Sequence, residues 1–421
     1  MKVLVIGNGA REHTLVWKIA RSSLVDSIYA VPGNAGTGNL ASNLDIPLSD
    51  IPAIVARARE LGIGLAVVGP EAPLAAGISD LFNQAGIPVF GPSRAAARLE
   101  SSKAFARDIM QRNNVPCARG QTFTNFSEAE KYIKTQDMPI VVKADGLAAG
   151  KGVTVAKTLD EALAALNSIM QERAFGAAGD TVVVEECLLG KEVSLLAFSD
   201  GINVVPMVPA CDYKRVYDDD RGPNTGGMGS YSPPGFFNQN MTAQVLNNVI
   251  RPTVAAMARE GAPYKGVLYT GLIITQQGPR VLEFNARFGD PETQVILPRL
   301  ESDLVEIMLA VLEGRLDRAK IEWSGDACVG VVMASGGYPG SYHTGLPIGI
   351  SDKLEKDINI FYAGATERSG GKIVTSGGRV LTVTATGRSL KEAREKVYRN
   401  IPFINFEGCH FRRDIAAREV N

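Results

Sequence analysis

The sequence predicts an α/β and α+β multidomain protein, and three observations carry that prediction. Through the first hundred residues, short apolar runs alternate with helix-spaced runs, the pattern of a doubly wound, Rossmann-like sheet. A Gly-rich hairpin from Pro139 to Ala156 then lies between segments opened by helix-capping patterns, as in a small α+β lid. From about Asp326, apolar β-type runs and one more capped helix describe a last, smaller α+β unit. The expected boundaries are 1–100, 101–325 with the lid at about 120–190, and 326–421.

In the first unit, Val3-Leu4-Val5-Ile6 is a buried strand, and Leu15, Val16, Ile19 and Ala20 recur at helical spacing after it. Ile28 to Val31, Leu65 to Val68 and Pro88 to Phe90 are the further apolar runs. The turns after Ile6, Val31, Val68 and Phe90 are expected to share the carboxyl edge of one parallel sheet, where ligands collect. The turn Gly7-Asn8-Gly9 resembles a dinucleotide fingerprint, but Glu12 takes the place of the third glycine and no acidic residue closes the second strand. Both departures speak against NAD. A glycine turn before a helix still makes an anion site, to which Arg11 and His13 would add positive charge. A plain strand-to-helix turn is the other reading.

The hairpin opens with Ile140-Val141-Val142 and closes with Val153-Thr154-Val155. Gly146, Gly150 and Gly152, with Lys143 and Lys151, suit a polyanion, because glycine lets backbone N–H groups approach phosphate oxygens and lysine brings a mobile charge. The spacing is not that of a Walker A loop, and a strand rather than a helix follows. An ordinary flexible hairpin is the alternative. Lys103 stands near the start of a helix, and Ser127-Glu130 and Thr158-Glu161 are expected capping boxes. Leu163, Leu166, Ile169 and Met170 mark the core face of the second of those helices. Thr181 to Val184 is a strand running into Glu185-Glu186-Cys187-Leu188, with Glu192 just beyond. At such a hinge, backbone groups can bond an adenine edge and a carboxylate can hold ribose hydroxyls; a solvated turn is the alternative.

Residues 212–235, with Asp212, Lys214, Asn224, Gly226 and Gly227, are expected to form a long functional loop without regular structure. Leu282-Glu283-Phe284-Asn285 alternates, so Glu283 and Asn285 should share one face and Leu282 and Phe284 the other. Two oxygen donors at that spacing suit Mg²⁺ on nucleotide phosphates. Arg287 would continue that face and offer a fixed positive fork. In the last unit, Ala327 to Ala334 and Arg379 to Ala385 are strands and Ser389-Glu392 caps a helix; no catalytic constellation is visible there.

The composition is that of a globular enzyme. A formal net charge of −1 gives no bulk attraction for nucleic acid. Five cysteines without C-x-x-C fit reduced thiols in the cytoplasm, and three scattered histidines do not make a zinc site. The stretch before Gly7 is too short for a signal peptide, and no apolar run is long enough to span a membrane.

Five motifs then coincide with a known family: Gly7 to His13, Pro32 to Gly36, Lys143 to Gly152, Gly222 to Gly229 and Glu283 to Thr293. Over essentially its full length the chain resembles the glycinamide ribonucleotide synthetases, or phosphoribosylamine–glycine ligases, of the ATP-grasp superfamily. The resemblance implies a pre-ATP-grasp domain, an ATP-grasp fold with a mobile lid, and a C-terminal domain. It implies a cytoplasmic, monomeric ligase that joins glycine to 5-phosphoribosylamine with ATP and Mg²⁺ or Mn²⁺, through glycyl phosphate, in purine biosynthesis. By the same resemblance, Lys103, Lys143 and the Gly146–Gly152 flap hold phosphates. The hinge of Glu185, Glu186, Cys187 and Leu188 reads adenine, and Glu192 holds ribose. Glu283 and Asn285 ligate the metal, and Arg287 stabilises transferring charge. Asn8, Gly9, Arg11, Asp212, Lys214, Asn224, Gly226 and Gly227 face the other two substrates. Cys187 departs from the bulky apolar residue common at that place. The remaining alternatives are another carboxylate–amine ligase of the superfamily, a nucleotide sensor on the same fold, and the weakened NAD-linked dehydrogenase.

Overall fold

The computed structural model describes residues 1–148 and 152–420. Gly150 and Lys151 therefore lie outside the described residues. The first unit alternates strands β1 (Lys2–Gly7), β2 (Ser27–Pro32), β3 (Ser42–Asn43), β4 (Leu65–Val68) and β5 (Val89–Phe90) with helices α1 (Ala10–Ile19), α2 (Ile51–Leu61), α3 (Glu71–Ala75) and α4 (Ile78–Gln84). The sheet is wholly parallel, in the order β3-β2-β1-β4-β5. Val3–Ile6 and Leu65–Val68 are buried throughout, as strands covered on both faces must be. The four turns share the carboxyl edge, as expected.

The order reverses between β1 and β4, the crevice where a dinucleotide would bind. Glu12 fills it. Its carboxylate accepts from the Gly9 N–H at 2.6 Å, and a Cβ at Gly7 or Gly69 would lie 2.3 or 2.1 Å from its side chain. His13 differs from expectation. Its Nδ1 accepts from the Tyr362 N–H at 2.9 Å, and burial lowers its pKa to about 4. The ring is neutral and joins two parts of the molecule rather than charging an anion site.

Helices α5 (Arg94–Ser101) and α6 (Lys103–Arg112) lead into the lid. The lid contains β6 (Gly120–Phe123), α7 (Phe126–Ile133), β7 (Ile140–Ala144), β8 (Val153–Ala156), α8 (Leu159–Met170) and β9 (Val182–Glu186), with an antiparallel sheet in the order β6-β9-β7-β8. Its core, which includes Ile133, Val142, Leu166 and Val184, is separate from those of the body. Thr158 and Ser389 cap their helices as expected. Ser127 does not, because Asn125, two residues earlier, accepts from the Glu128 N–H and starts α7 there.

The body holds two antiparallel sheets. One is built from β10 (Lys191–Asp200) and β11 (Val204–Pro206), with two strands that come later in the chain. Residues 212–235 differ from the loop expected. They carry the end of β12 (Cys211–Asp212), the hairpin of β13 (Arg215–Tyr217) and β14 (Arg221–Asn224), and β15 (Gly229–Ser232). Strand β15 escapes an apolar pattern because its buried side chains include two serines. Ser230 donates to Pro291 O, and Ser232 donates to Pro209 O and accepts from Arg299. After α9 (Gln239–Val245) and α10 (Arg251–Arg259), β16 (Lys265–Thr275) and β17 (Gly278–Asn285) complete the first sheet, in the order β11-β10-β16-β17. The last region adds β18 (Ala327–Ala334), β19 (Gly349–Ile350), β20 (Asn359–Tyr362), β21 (Ala365–Arg368), β22 (Lys372–Thr375) and β23 (Arg379–Gly387). The second sheet runs β12-β15-β18-β23-β20, so the last region and the 211–232 segment share one sheet. Among the described residues no helix is long and apolar enough to cross a membrane.

The buried neutral His13 makes stability depend on pH. Below about pH 6.5 the unfolded chain binds a proton that the folded chain refuses, so this contribution is complete above that value and is lost as pH falls toward 4. The full loss is about 3 kcal/mol. Urea unfolding at pH 7 and pH 4.5 should show a smaller pH dependence in His13→Gln than in the unsubstituted protein; equal slopes would contradict this account.

Candidate active site

The flap is held by its own glycines. Gly146 has φ of +128°, and a Cβ at Gly152 would stand 2.6 Å from that of Ala148. Asp145 accepts from the Ala104 N–H and the Ser102 hydroxyl, pinning the start of α6 to the flap. Lys103 Nζ consequently donates to Gly146 O at 2.9 Å. Burial lowers the Lys103 pKa; Lys143 acts the same way and Glu283 opposes it, so these three charges converge.

Lys143 lies on β7 with its side chain only 12% exposed. It bonds Glu185 Oε2 at 2.6 Å and donates to Leu282 O at 3.3 Å. Glu185 takes Arg107, fully buried, on its other oxygen at 2.7 Å. Glu185 thus holds Lys143 in place. Glu186 is anchored by Arg119, through its N–H and its guanidinium. Cys187 and Leu188 follow half-buried where the lid joins the body, and Leu189 is exposed.

The expected strict alternation before Asn285 is broken. Gly271 faces Glu283 and Leu272 faces Val281, so Leu282 is the extra residue of a β-bulge. Val281 and Phe284, not Leu282 and Phe284, fill the core, and the freed Leu282 carbonyl meets Lys143. Glu283 remains exposed and Asn285 half-buried. Strand β17 ends at Asn285 because the Ala286 N–H donates to Glu100 Oε2. Arg287 then bonds Glu71 at 3.2 Å, Glu100 at 3.1 Å, Asn285 Oδ1 at 3.3 Å and Phe288 O at 3.1 Å. Burial opposes its charge, yet Glu100, Glu71 and Glu292 hold its pKa above the ordinary value. Its hydrogen bonds go to Glu71, Asn285 and Phe288, and its contact with Glu100 is an ion pair.

On the other side of the site, Lys214 pairs with Asp212 at 3.2 Å and with Glu192. Expected nucleotide and substrate residues therefore meet at one ion pair. Behind them, the buried Glu292 accepts from Ser194 and Tyr269, and burial together with Asp212 raises its pKa to about 7. Gly226 is fixed from the last region: its N–H donates to Tyr338 Oη at 3.0 Å and its carbonyl accepts from Arg379 at 2.6 Å. Arg379 also bonds Asp290 at 2.7 Å. Gly227, with φ of +109°, packs on Pro291 so closely that a Cβ would lie 2.4 Å from the ring. Asn224 is exposed on β14. Asn8 and Gly9 form the facing turn, both carbonyls accepting from Asn34. Arg11, by contrast, is buried against Glu12 and Phe288 O.

Sequence reasoning passed over Glu71, Glu100, Asp290, Glu292, Tyr338 and Arg379. The position of Glu71, just past Gly69-Pro70 at the carboxyl edge of β4, was a usable signal. Arg379 offered none, since it only opens an apolar strand.

A separately cored lid, two lysines converging on its flap and a carboxylate–amide pair on the facing strand together make an ATP-dependent ligase of the ATP-grasp fold. Known proteins narrow the class. The phosphoribosylglycinamide synthetase N domain matches residues 1–100, the ATP-grasp (A) domain 101–293 and the C domain 328–418. The phosphoribosylamine–glycine ligase of Vibrio cholerae is 50% identical over 100% of this chain and 99% of its own length. That of Halalkalibacterium halodurans is 48% identical over 100% and 97%. The solved phosphoribosylamine–glycine ligase of Thermotoga maritima is 34% identical, with a TM-score of 0.86, covering 99% of this chain and 100% of that one. A biotin carboxylase domain from Hydrogenobacter thermophilus, solved with MgADP, is similar in fold alone, at 17% identity and TM-score 0.76 over 97% and 91% of the two chains. The chain belongs to the phosphoribosylglycinamide synthetase family.

Glu185 ties lid stability to the Lys143 position. Replacing it with alanine should leave buried Arg107 uncompensated and destabilise the protein by about 3 kcal/mol in urea unfolding. The KM for ATP should rise because Lys143 loses its brace. An unchanged KM in folded variant protein would remove Lys143 from the nucleotide site.

Proposed function

We propose that this chain joins glycine to 5-phosphoribosylamine, converting ATP to ADP and phosphate and giving glycinamide ribonucleotide in purine biosynthesis. The observation that carries the reading is the Glu192–Lys214 pair, which links the nucleotide side to the hairpin expected to hold the other substrates. An amide does not form readily from a carboxylate and an amine at pH 7, because oxide is a poor leaving group. The glycine carboxylate first attacks the γ-phosphate, ADP leaves, and glycyl phosphate results. The amine then displaces phosphate and releases a proton. Lys103 and Lys143 bind the phosphates, the Arg287 guanidinium stabilises the transferring charge, and the lid excludes water.

Glu283 and Asn285 fit a divalent ion of the Mg²⁺ type. They are two accessible oxygen donors, few enough for an ion that keeps its waters and takes the rest of its ligands from phosphates. Among the described residues no group of three or more His, Cys, Asp or Glu side chains offers a closed site. When bound, Mg²⁺ or Mn²⁺ neutralises phosphate charge. The five free cysteines fit work in the cytoplasm.

Glu283→Gln should keep the fold, since an exposed ligand does not hold the core, while turnover falls by orders of magnitude. Near-normal Mg²⁺-dependent turnover would refute the metal assignment. Glycine labelled with ¹⁸O in its carboxylate should pass one labelled oxygen to phosphate per turnover. Label absent from phosphate, or found in AMP, would refute the glycyl-phosphate route.

A further inference from the structure

The β13–β14 hairpin is a two-stranded ribbon, and such a ribbon is marginal in water by itself. Its strands are largely exposed, and its apolar anchor is Val216, clustered with Met228 and Ala334 and packed against Tyr338. The hairpin borrows its order from the end of the chain. His410 Nε2 bonds Val216 O at 2.8 Å, the Arg413 N–H donates to Asp218 at 2.7 Å, and the Asp219 N–H donates to Asp414 at 3.0 Å.

Arg412 is the centre of this contact and is fully buried. Its guanidinium pairs bidentately with Asp414 at 2.7 and 2.6 Å. Its Nη1 donates to Arg215 O and to Asp220 Oδ1, each at 3.0 Å. Its Cζ lies over the Tyr213 ring, 4.6 Å from the ring centre. Tyr213 and Arg215 are the two neighbours of Lys214, so one side chain brackets that lysine in the main chain. The segment is itself anchored to α11 (Leu390–Asn400): Arg394 donates to Ile415 O and Arg413 O, and Tyr398 donates to Arg412 O.

We infer that His410–Ala416 is a latch, and that Arg412 is a positioning residue which sets Lys214 and the hairpin for the glycine and phosphoribosylamine half of the reaction. The inference rests on the proposed role of the hairpin as the substrate loop. It gives the last region a function beyond packing. Lysine at 412 would keep the charge but lose the fork that reaches Asp414, Asp220 and Arg215 together.

Arg412→Lys and Asp414→Asn test it, the second keeping the test open if the first does not fold. Native-state trypsin cleavage after Arg215 and Arg221 should quicken by about tenfold without a matching fall in the main unfolding transition. The KM for glycine or phosphoribosylamine should rise by about tenfold, and that for ATP by less than about twofold. Unchanged cleavage in folded variants means that there is no latch. Faster cleavage with all three KM values unchanged means that the substrates do not use the hairpin, which removes its proposed role and the positioning role together. An equal rise in all three KM values means general structural damage and also overturns the inference. ADP release by the unsubstituted protein, dependent on both co-substrates, separates these outcomes from failure of the proposed reaction.

Discussion

A guanidinium placed inside a protein must be surrounded by charge, and the site is built around one that is. Arg287 lies between Glu71 and Glu100 and touches Asn285. Glu71 begins α3 after the first sheet, Glu100 lies on α5, and Asn285 ends the strand expected to carry the metal. Removing one partner from such a cluster leaves an uncompensated buried charge, so the three elements are coupled in position. Glu100 adds a second tie by accepting the Ala286 N–H, which stops β17 where its two oxygen donors are presented. The same interaction thus docks the first unit on the body and sets the end of the expected metal strand.

Three lysines of the candidate site are each held by protein partners. Lys143 has Glu185, Lys103 has the Gly146 carbonyl, and Lys214 has Asp212 and Glu192. Such pairing holds each ammonium in a defined place. The lid keeps its own core and meets the body through a few polar contacts, among them Lys103 to Gly146 and Lys143 to Leu282. A unit cored in that way can move without unfolding. The side carrying Lys214 is different in kind. Its hairpin is fastened to the last region at Gly226 by Tyr338 and Arg379, and at its tip by Arg412.

Local sequence determined a good deal. The parallel sheet follows from runs such as Val3–Ile6, the flap from Gly146 and Gly152 between two β-type runs, and the oxygen pair from Glu283 and Asn285, because each depends on near neighbours in the chain. Tertiary structure decided what depends on distant partners. Ser230 and Ser232 show no strand pattern until Pro291, Pro209 and Arg299 satisfy their hydroxyls. The bulge at Leu282 is set by pairing with β16, and His13 is neutral because Tyr362, far along the chain, buries and binds it. Arg379 and Arg412 look like surface arginines in one dimension. They become parts of the site only because a shared sheet brings the last region beside the 211–232 segment, where burial obliges each guanidinium to find its carboxylates.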